Sequence, residues 1–324
     1  MTNTRDVNLS LEKRKSVAGS IANYFSDLFQ NMRKHPLIYL LAIPVVAYYV
    51  IFQYFPMYGA TIAFRDFFPG RTIMASPWVG MAHFIEFFNG PYAFRVIRNT
   101  FMINFLQLIF VFPAPIILAL MMNEIYRINF KRTVQTIVYM PHFISLIVIC
   151  GMILDFTSRN GLVNDIIYFF GGTRQNIMVN PSLFWPVHIV SDIWQTAGWG
   201  TIIYLAALAG VNQELYEAAR VDGAGRWRQT IHITIPGILP TLVIMLILRL
   251  GSMMHVGFEK IILLYNPLIY ETADVISSYV YRRGLLQFNF SFSAAVGLFS
   301  SVINFTLLCI ANFISRRVND TSLW

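Results

Sequence analysis

Charge is what this sequence has least of. Asp, Glu, Lys and Arg supply 12% of its 324 residues, about half the share of a soluble domain. With 56% hydrophobic residues and a mean hydropathy of +0.56, that scarcity excludes a chain that folds in water. There are only two cysteines, Cys150 and Cys309, both inside apolar runs. They exclude a disulfide framework and fit buried packing. No G-x-x-x-x-G-K-[ST] phosphate loop, H-E-x-x-H or G-x-S-x-G occurs, so a membrane enzyme is unsupported and any ATP used must be bound on another chain. No apolar stretch follows the first basic cluster closely enough to make a cleavable signal peptide. Acidic residues are outnumbered 24 to 16, a net charge of +8. Loop topology explains this excess better than nucleic acid does, because basic residues collect on the cytoplasmic side of membrane proteins.

What is present in abundance is apolar runs of about 20 residues, the length of a membrane-crossing helix. Six are expected, over 36–55, 99–123, 134–154, 184–210, 236–256 and 293–314. The fold class is therefore all-α, a polytopic membrane protein. Pro113 and Pro115 are placed to kink the second span. Residues 56–98, rich in aromatics and broken by Pro69-Gly70, Pro77 and Gly90-Pro91, read as an outside cap, and 155–181 and 257–292 as further outside segments. Ile21, Phe25, Leu28 and Met32 repeat at helical spacing and predict an amphipathic helix on the membrane surface or on a partner subunit. The division expected is 1–34 as a cytoplasmic N-terminal segment, 35–317 as the membrane domain and 318–324 as a tail. Fourteen Lys and Arg fall in the proposed inside segments and nine in much longer outside ones, which puts both termini in the cytoplasm.

Polar groups inside the spans are costly and usually face the bundle interior or a water-filled path. Candidates for a substrate pathway are Asn104 and Gln107, His142, Asp192 and Gln195, and Arg249 and His255, with Trp194 offering an aromatic face. Ser145, Trp199 and Asn304 are further polar or aromatic positions in the spans. Interhelical hydrogen bonding that only holds the bundle together is the plain alternative. Arg249 carries a cost of about 2.5–3.5 kcal/mol on insertion scales. A partner must compensate it: Asp192, another chain or an anionic substrate. An ion-coupled secondary transporter is the alternative function, but it calls for intramembrane carboxylates and often for repeated halves. Asp192 is nearly alone, and no internal repeat is visible.

The most charged stretch between two apolar runs is EAARVDGAGRWRQTIHITIPGILP, residues 217–240. Glu217 to Arg220 favour a helix, Gly223 permits a sharp turn, and Trp227, Ile231 and Ile235 mark the apolar face of a second short helix. Pro236 and Pro240 suit the opening of the next span. The spacing of Glu217, Ala218, Ala219, Asp222, Gly223, Ala224, Ile233 and Pro236 resembles the signature loop of the membrane subunits of ABC importers. Thr230 departs from the aromatic residue common there, which shifts weight to Trp227. The run from Gly257 to Lys260 through Tyr265-Asn266-Pro267 to Arg282-Arg283-Gly284 resembles the larger permeases of oligosaccharide importers, alginate and other uronate-oligomer systems among them. Similarity runs from about residue 35 to the C-terminus.

That resemblance implies the type I importer permease fold in a bacterial cytoplasmic membrane, with loop 211–235 as a coupling helix seated on an ATPase. Glu217 and Arg220 would make polar contacts there, Gly223 would set the interhelical angle and Trp227 would fill an apolar pocket. It also implies a second, different permease, two ATPase subunits holding ATP and Mg, and an extracytoplasmic solute-binding protein. This chain itself would bind no cofactor, metal or nucleic acid. Its partners would be lipid and an oligosaccharide, with Arg249 and the resemblance together favouring an anionic one.

Overall fold

The computed structural model describes residues 31–319. Most of the surface helix expected over 21–34, Ile21, Phe25 and Leu28 included, and the end of the tail lie outside the described residues. Among the described residues the chain is helical, with one bridge, Arg65 to Trp78, as its only β-pairing. It divides into two units, Met1–Thr61 and Ile62–Trp324.

The first unit contributes most of helix α1 (Pro36–Phe64). Pro36 opens it, where a missing N–H costs nothing. None of residues 36–49 is buried, and Leu41, Phe52 and Phe55 are exposed. A helix apolar on every side is at home in lipid.

The second unit begins with a short cap in which Phe64 stacks on Trp78. Helix α2 (Ala82–Asn89) and the long α3 (Ala93–Asn123) follow. The span expected over 134–154 is not continuous. Helix α4 (Ile128–Tyr139) ends in a 3-10 turn, Met140–Phe143, that contains Pro141. The extended residues Ile144 and Ser145 then precede α5 (Leu146–Thr157), whose first turn is capped by the Ser145 hydroxyl. Pro141 lacks the N–H a continuing helix needs there. After α6 (Leu162–Phe169) comes α7 (Pro181–Ala209). Helix α8 (Gln213–Val221) leads into α9 (Arg226–Leu250), then α10 (Phe258–Leu264), α11 (Ile276–Tyr281) and α12 (Phe290–Asn319). Among the described residues, five stretches are long and apolar enough to cross a membrane: α1, α3, α5 with α6, α9 and α12. Helix α7 has the length, 29 residues, but carries His188, Ser191, Asp192, Gln195 and Thr196.

Three of the long helices widen into a π turn at the same place relative to a proline. The turns Val50–Tyr54, Gln107–Val111 and Thr230–Thr234 each end two residues before one: Pro56, Pro113 and Pro236. A wider turn relieves the clash of the proline ring with the preceding carbonyls. Pro236 thus sits within continuous helix, not at the opening of a new one, and the short second helix expected after Gly223 is the first turns of α9.

Helix α7 is the axis of the second unit. It packs along α3 and against α4, α9 and the turns around residue 270. Its approach to α4 depends on Gly198, where a Cβ would overlap the Val138 carbonyl oxygen. Gly198→Ala is expected to cost about 1–3 kcal/mol, the usual range for overpacking. Thermal denaturation in detergent checks this; wild-type stability in the variant would mean that α4 can yield.

Candidate functional site

Helix α3 crosses α7 where its π turn begins, and there the buried polar side chains of four helices meet. Gln107 donates from Nε2 to Asp192 Oδ2 at 2.6 Å and lies 3.4 Å from His188 Nε2. Its Oε1 accepts from Arg249 Nη2 at 2.5 Å. Lys260 Nζ pairs with Asp192 Oδ1 at 2.5 Å and donates to the His188 carbonyl at 3.4 Å. His188 Nε2 itself stands 3.3 Å from Asp192 Oδ2, one helical turn away on α7.

Each member is placed by its own helix. His188 and Asp192 share a face of α7 at i, i+4. Arg249 ends α9, where the negative end of the helix dipole favours a cation. Lys260 rides on α10, in a segment expected to lie outside the bundle. Instead α10 folds back into it, with Lys260 only 4% exposed and Ile261 and Leu264 in the core beside Ile149 and Phe184. The cluster therefore sets one carboxylate against two basic side chains, a positive excess among apolar helices.

The structure brings together three of the eight pathway candidates: Gln107, Asp192 and Arg249. Arg249 reaches Asp192 through Gln107, and Lys260 is the carboxylate's direct cationic partner. Asn104, one turn before Gln107, donates to the Thr100 carbonyl, while its Oδ1 is buried without a partner. Gln195 lies less than a turn beyond Asp192 and is half-buried. The other candidates lie apart. His142 is exposed and stacks on Trp199 with ring centroids 4.6 Å apart. Trp194 lines an apolar cavity of about 450 Å³ with Ile153 and Phe156. His255 meets Asn304 Nδ2 at 3.1 Å, and Asn304 accepts the Met254 N–H, which ties the connection after α9 to α12. Lys260 and His188 are the members that sequence reasoning missed.

The second constellation is the loop between α7 and α9. Helix α8 is capped at its start by Asn212, which accepts the Glu214 N–H. It closes with two crossed hydrogen bonds, Gly223 N–H to the Arg220 carbonyl and Ala224 N–H to the Ala219 carbonyl. Gly223 has φ +76°, the left-handed residue such a closure requires. Gln229 donates to the Ala224 carbonyl at 2.6 Å, and Tyr216 donates to or accepts from Thr234 across 3.0 Å. These bonds fix the angle between α8 and α9.

Ile233 packs into the core with Tyr204 and Leu208, whereas Val221 (88% exposed) and Trp227 (77%) stand free. Glu217 and Arg220 are exposed neighbours at 4.0 Å, and Arg226 pairs with Glu124 at 3.9 Å. The turn thus presents bare apolar and charged side chains at the surface.

A helical chain with apolar helices long enough to span a membrane, a polar cluster among them and a rigid exposed loop is consistent with a membrane transport subunit. Residues 111–320 match the family of binding-protein-dependent transport system inner membrane components, and the chain belongs to that family. Its similarity to the protein LplB of Bacillus subtilis is 43% identity over 294 residues, 90% of this chain and 92% of the relative. A polygalacturonan/rhamnogalacturonan transport system permease protein, YteP, of the same organism is 42% identical over 288 residues, 89% and 90% of the two chains. Among solved structures, a bacterial ABC transporter involved in the import of the acidic polysaccharide alginate superposes with TM-score 0.84 at 42% identity, covering 90% of this chain and 99% of that one. A second, the alginate transporter in complex with an alginate pentasaccharide-bound periplasmic protein, gives TM-score 0.85 at 41% identity, with 91% and 99% covered. The type I permease architecture expected from the signature loop is the one found.

Proposed function

We propose that this chain lines the translocation pathway of an ATP-driven, binding-protein-dependent importer of an anionic oligosaccharide, alginate or a related uronate oligomer. The observation that carries the substrate's charge is the cluster in which Asp192 pairs with Lys260 and is linked to Arg249 through Gln107. A carboxylate passing this point meets a net positive field in a low dielectric, where a charge-assisted contact is strong. Gln107 and Asn104 on one face of α3, with Gln195 near Asp192, supply groups that match sugar hydroxyls. The acidic polysaccharides in the names of YteP and the alginate transporter support the same reading.

Transport proceeds by alternating access. ATP and Mg are held by two ATPase subunits, a second and different permease completes the pathway, and a solute-binding protein delivers the sugar from outside. The α8–α9 loop and both termini face the cytoplasm, where Trp227, Val221, Glu217 and Arg220 seat on the ATPase. Motion there reaches the cluster directly, because α9 runs from Arg226 at the docking surface to Arg249 beside Gln107.

The test compares uptake of a uronate trisaccharide and its carboxyl-reduced, neutral form by the complex reconstituted in proteoliposomes. Wild type is expected to prefer the uronate. Arg249→Gln removes a charge-assisted hydrogen bond worth about 1.5–3 kcal/mol and should lower uronate uptake roughly tenfold or more. Preference for the neutral sugar, or full uronate uptake by Arg249→Gln, would overturn the assignment.

A further inference from the structure

A second group of buried charges lies at the far end of α3 from the docking loop. Asp274, fully buried, accepts at one oxygen, Oδ2, from both Arg95 (2.9 Å) and Arg282 (2.7 Å). Its other oxygen takes the Ser278 hydroxyl at 2.8 Å. Arg283 is held by Glu86 at 3.0 Å and Gln287 at 3.1 Å. The three arginines thus face two carboxylates, again one cation in excess. Burial works against the charge on Arg282, but the hydrogen bond and charge of Asp274 outweigh it and raise its pKa.

Arg95, Arg282, Arg283 and Gln287 line a cavity of about 330 Å³ together with Tyr92, Tyr270 and Tyr279, within the size range of small-molecule sites, roughly 300–1,000 Å³. Arg282 lies 4.6 Å from the Tyr270 ring centre and Arg95 4.7 Å from that of Tyr92. Each arginine keeps one buried nitrogen without a partner: Arg95 Nε, Arg282 Nη1 and Arg283 Nε. Buried donors are normally satisfied, and an unmet one costs about 1–3 kcal/mol. The three arginines that carry these unmet donors all line the one cavity. Three larger cavities, two of about 450 Å³ and one of about 410 Å³, have mainly apolar linings and suit lipid or protein better than sugar.

From this geometry we infer that the Arg95–Arg282–Arg283 cavity is an outer subsite that binds a uronate unit, with its carboxylate on the guanidinium groups and its ring against the tyrosines. The inference rests on the uronate-import reading and deepens it. Arg95 precedes Gln107 by 12 residues on α3, roughly 18 Å at 1.5 Å per residue, so the subsite stands one step outward of the inner cluster on the same helix. Guanidinium pairs carboxylate in a planar, two-point geometry that lysine does not reproduce.

The experiment measures calorimetric binding of a mannuronate trisaccharide, and of its carboxyl-reduced form, to the full chain in nanodiscs. Arg283→Gln, whose side chain is one-third exposed, is the variant least able to disturb folding; Arg282→Lys keeps the charge opposite Asp274. Wild type should bind the uronate saturably and the reduced sugar at least tenfold more weakly, and each variant should lose uronate affinity by about tenfold. Equal binding of the reduced sugar, or undiminished binding in both variants, would overturn the subsite. So would variants that keep trisaccharide binding but weaken capture of the sugar-free solute-binding protein, which would assign the cavity to a protein carboxylate. Uronate uptake by the wild-type complex, run in parallel, separates the two readings. Uptake without an effect of the variants removes the subsite alone, and no uptake removes the substrate assignment with it.

Discussion

Gly223→Pro is expected to abolish transport while the chain still inserts in the membrane. Gly223 sits at φ +76° and donates its N–H to Arg220; proline can do neither, since its ring holds φ near −65° and removes the donor. The turn between α8 and α9 would have to reopen, and the rigid angle at which Val221 and Trp227 are held at the surface would be lost. Gly223→Ala is the milder arm. A Cβ there meets nothing within 4 Å, so only backbone strain counts, about 1–2 kcal/mol for a non-glycine residue in the left-handed region. Substrate-stimulated ATP hydrolysis and uptake by the reconstituted complex should fall at least tenfold in the proline variant and only partly in the alanine variant. Glu217→Ala, which removes an exposed charge without touching the turn, should uncouple without altering the fold. Normal uptake in both Gly223→Pro and Glu217→Ala would remove the coupling role from this loop.

The contrast between this loop and the inner cluster explains what could be read in advance. The loop's geometry is made within a dozen residues: a helix-forming run, a glycine that closes it and an apolar stripe beyond. Local sequence therefore describes it almost fully. Only the continuity of α9 through Pro236 was hidden, because a π turn absorbs what a proline would otherwise break. The third span failed for the opposite reason. Its hydropathy is continuous, but Pro141 and the extended Ile144 and Ser145 split it between α4 and α5. The polar cluster joins residues as far apart as Gln107 and Arg249, and no spacing rule reports such a meeting. Gln107, Asp192 and Arg249 were visible one by one as polar groups in apolar runs. His188 stood one turn before Asp192, a signal that was present and went unused. Lys260 was concealed by topology, since a lysine between two apolar spans reads as loop until α10 is seen to fold back among the other helices.

The largest effect on stability is expected at Asp192. Its carboxylate accepts from Lys260 and Gln107, and Lys260 is almost wholly buried. Asp192→Ala leaves that ammonium with only the His188 carbonyl as acceptor and places Arg249 beside a glutamine whose own acceptor is gone. Removing one partner of a buried ion pair typically costs about 3–5 kcal/mol, because the remaining charge has no compensation. Lys260→Met should cost less, since Asp192 keeps the Gln107 donor. The combined Asp192→Ala, Lys260→Met variant takes out both charges and should recover much of the loss, a coupling of roughly 1–3 kcal/mol between the two sites. Denaturation of the detergent-purified full chain, monitored for each single variant and the pair, measures these differences. Strictly additive losses would mean that the two side chains do not stabilise one another. Recovery of stability together with uronate uptake would give the pair a structural role only, holding α7 against α10, and leave the charge on Arg249 as what the substrate meets. Recovery of stability alone would make the Lys260 charge part of what the substrate needs.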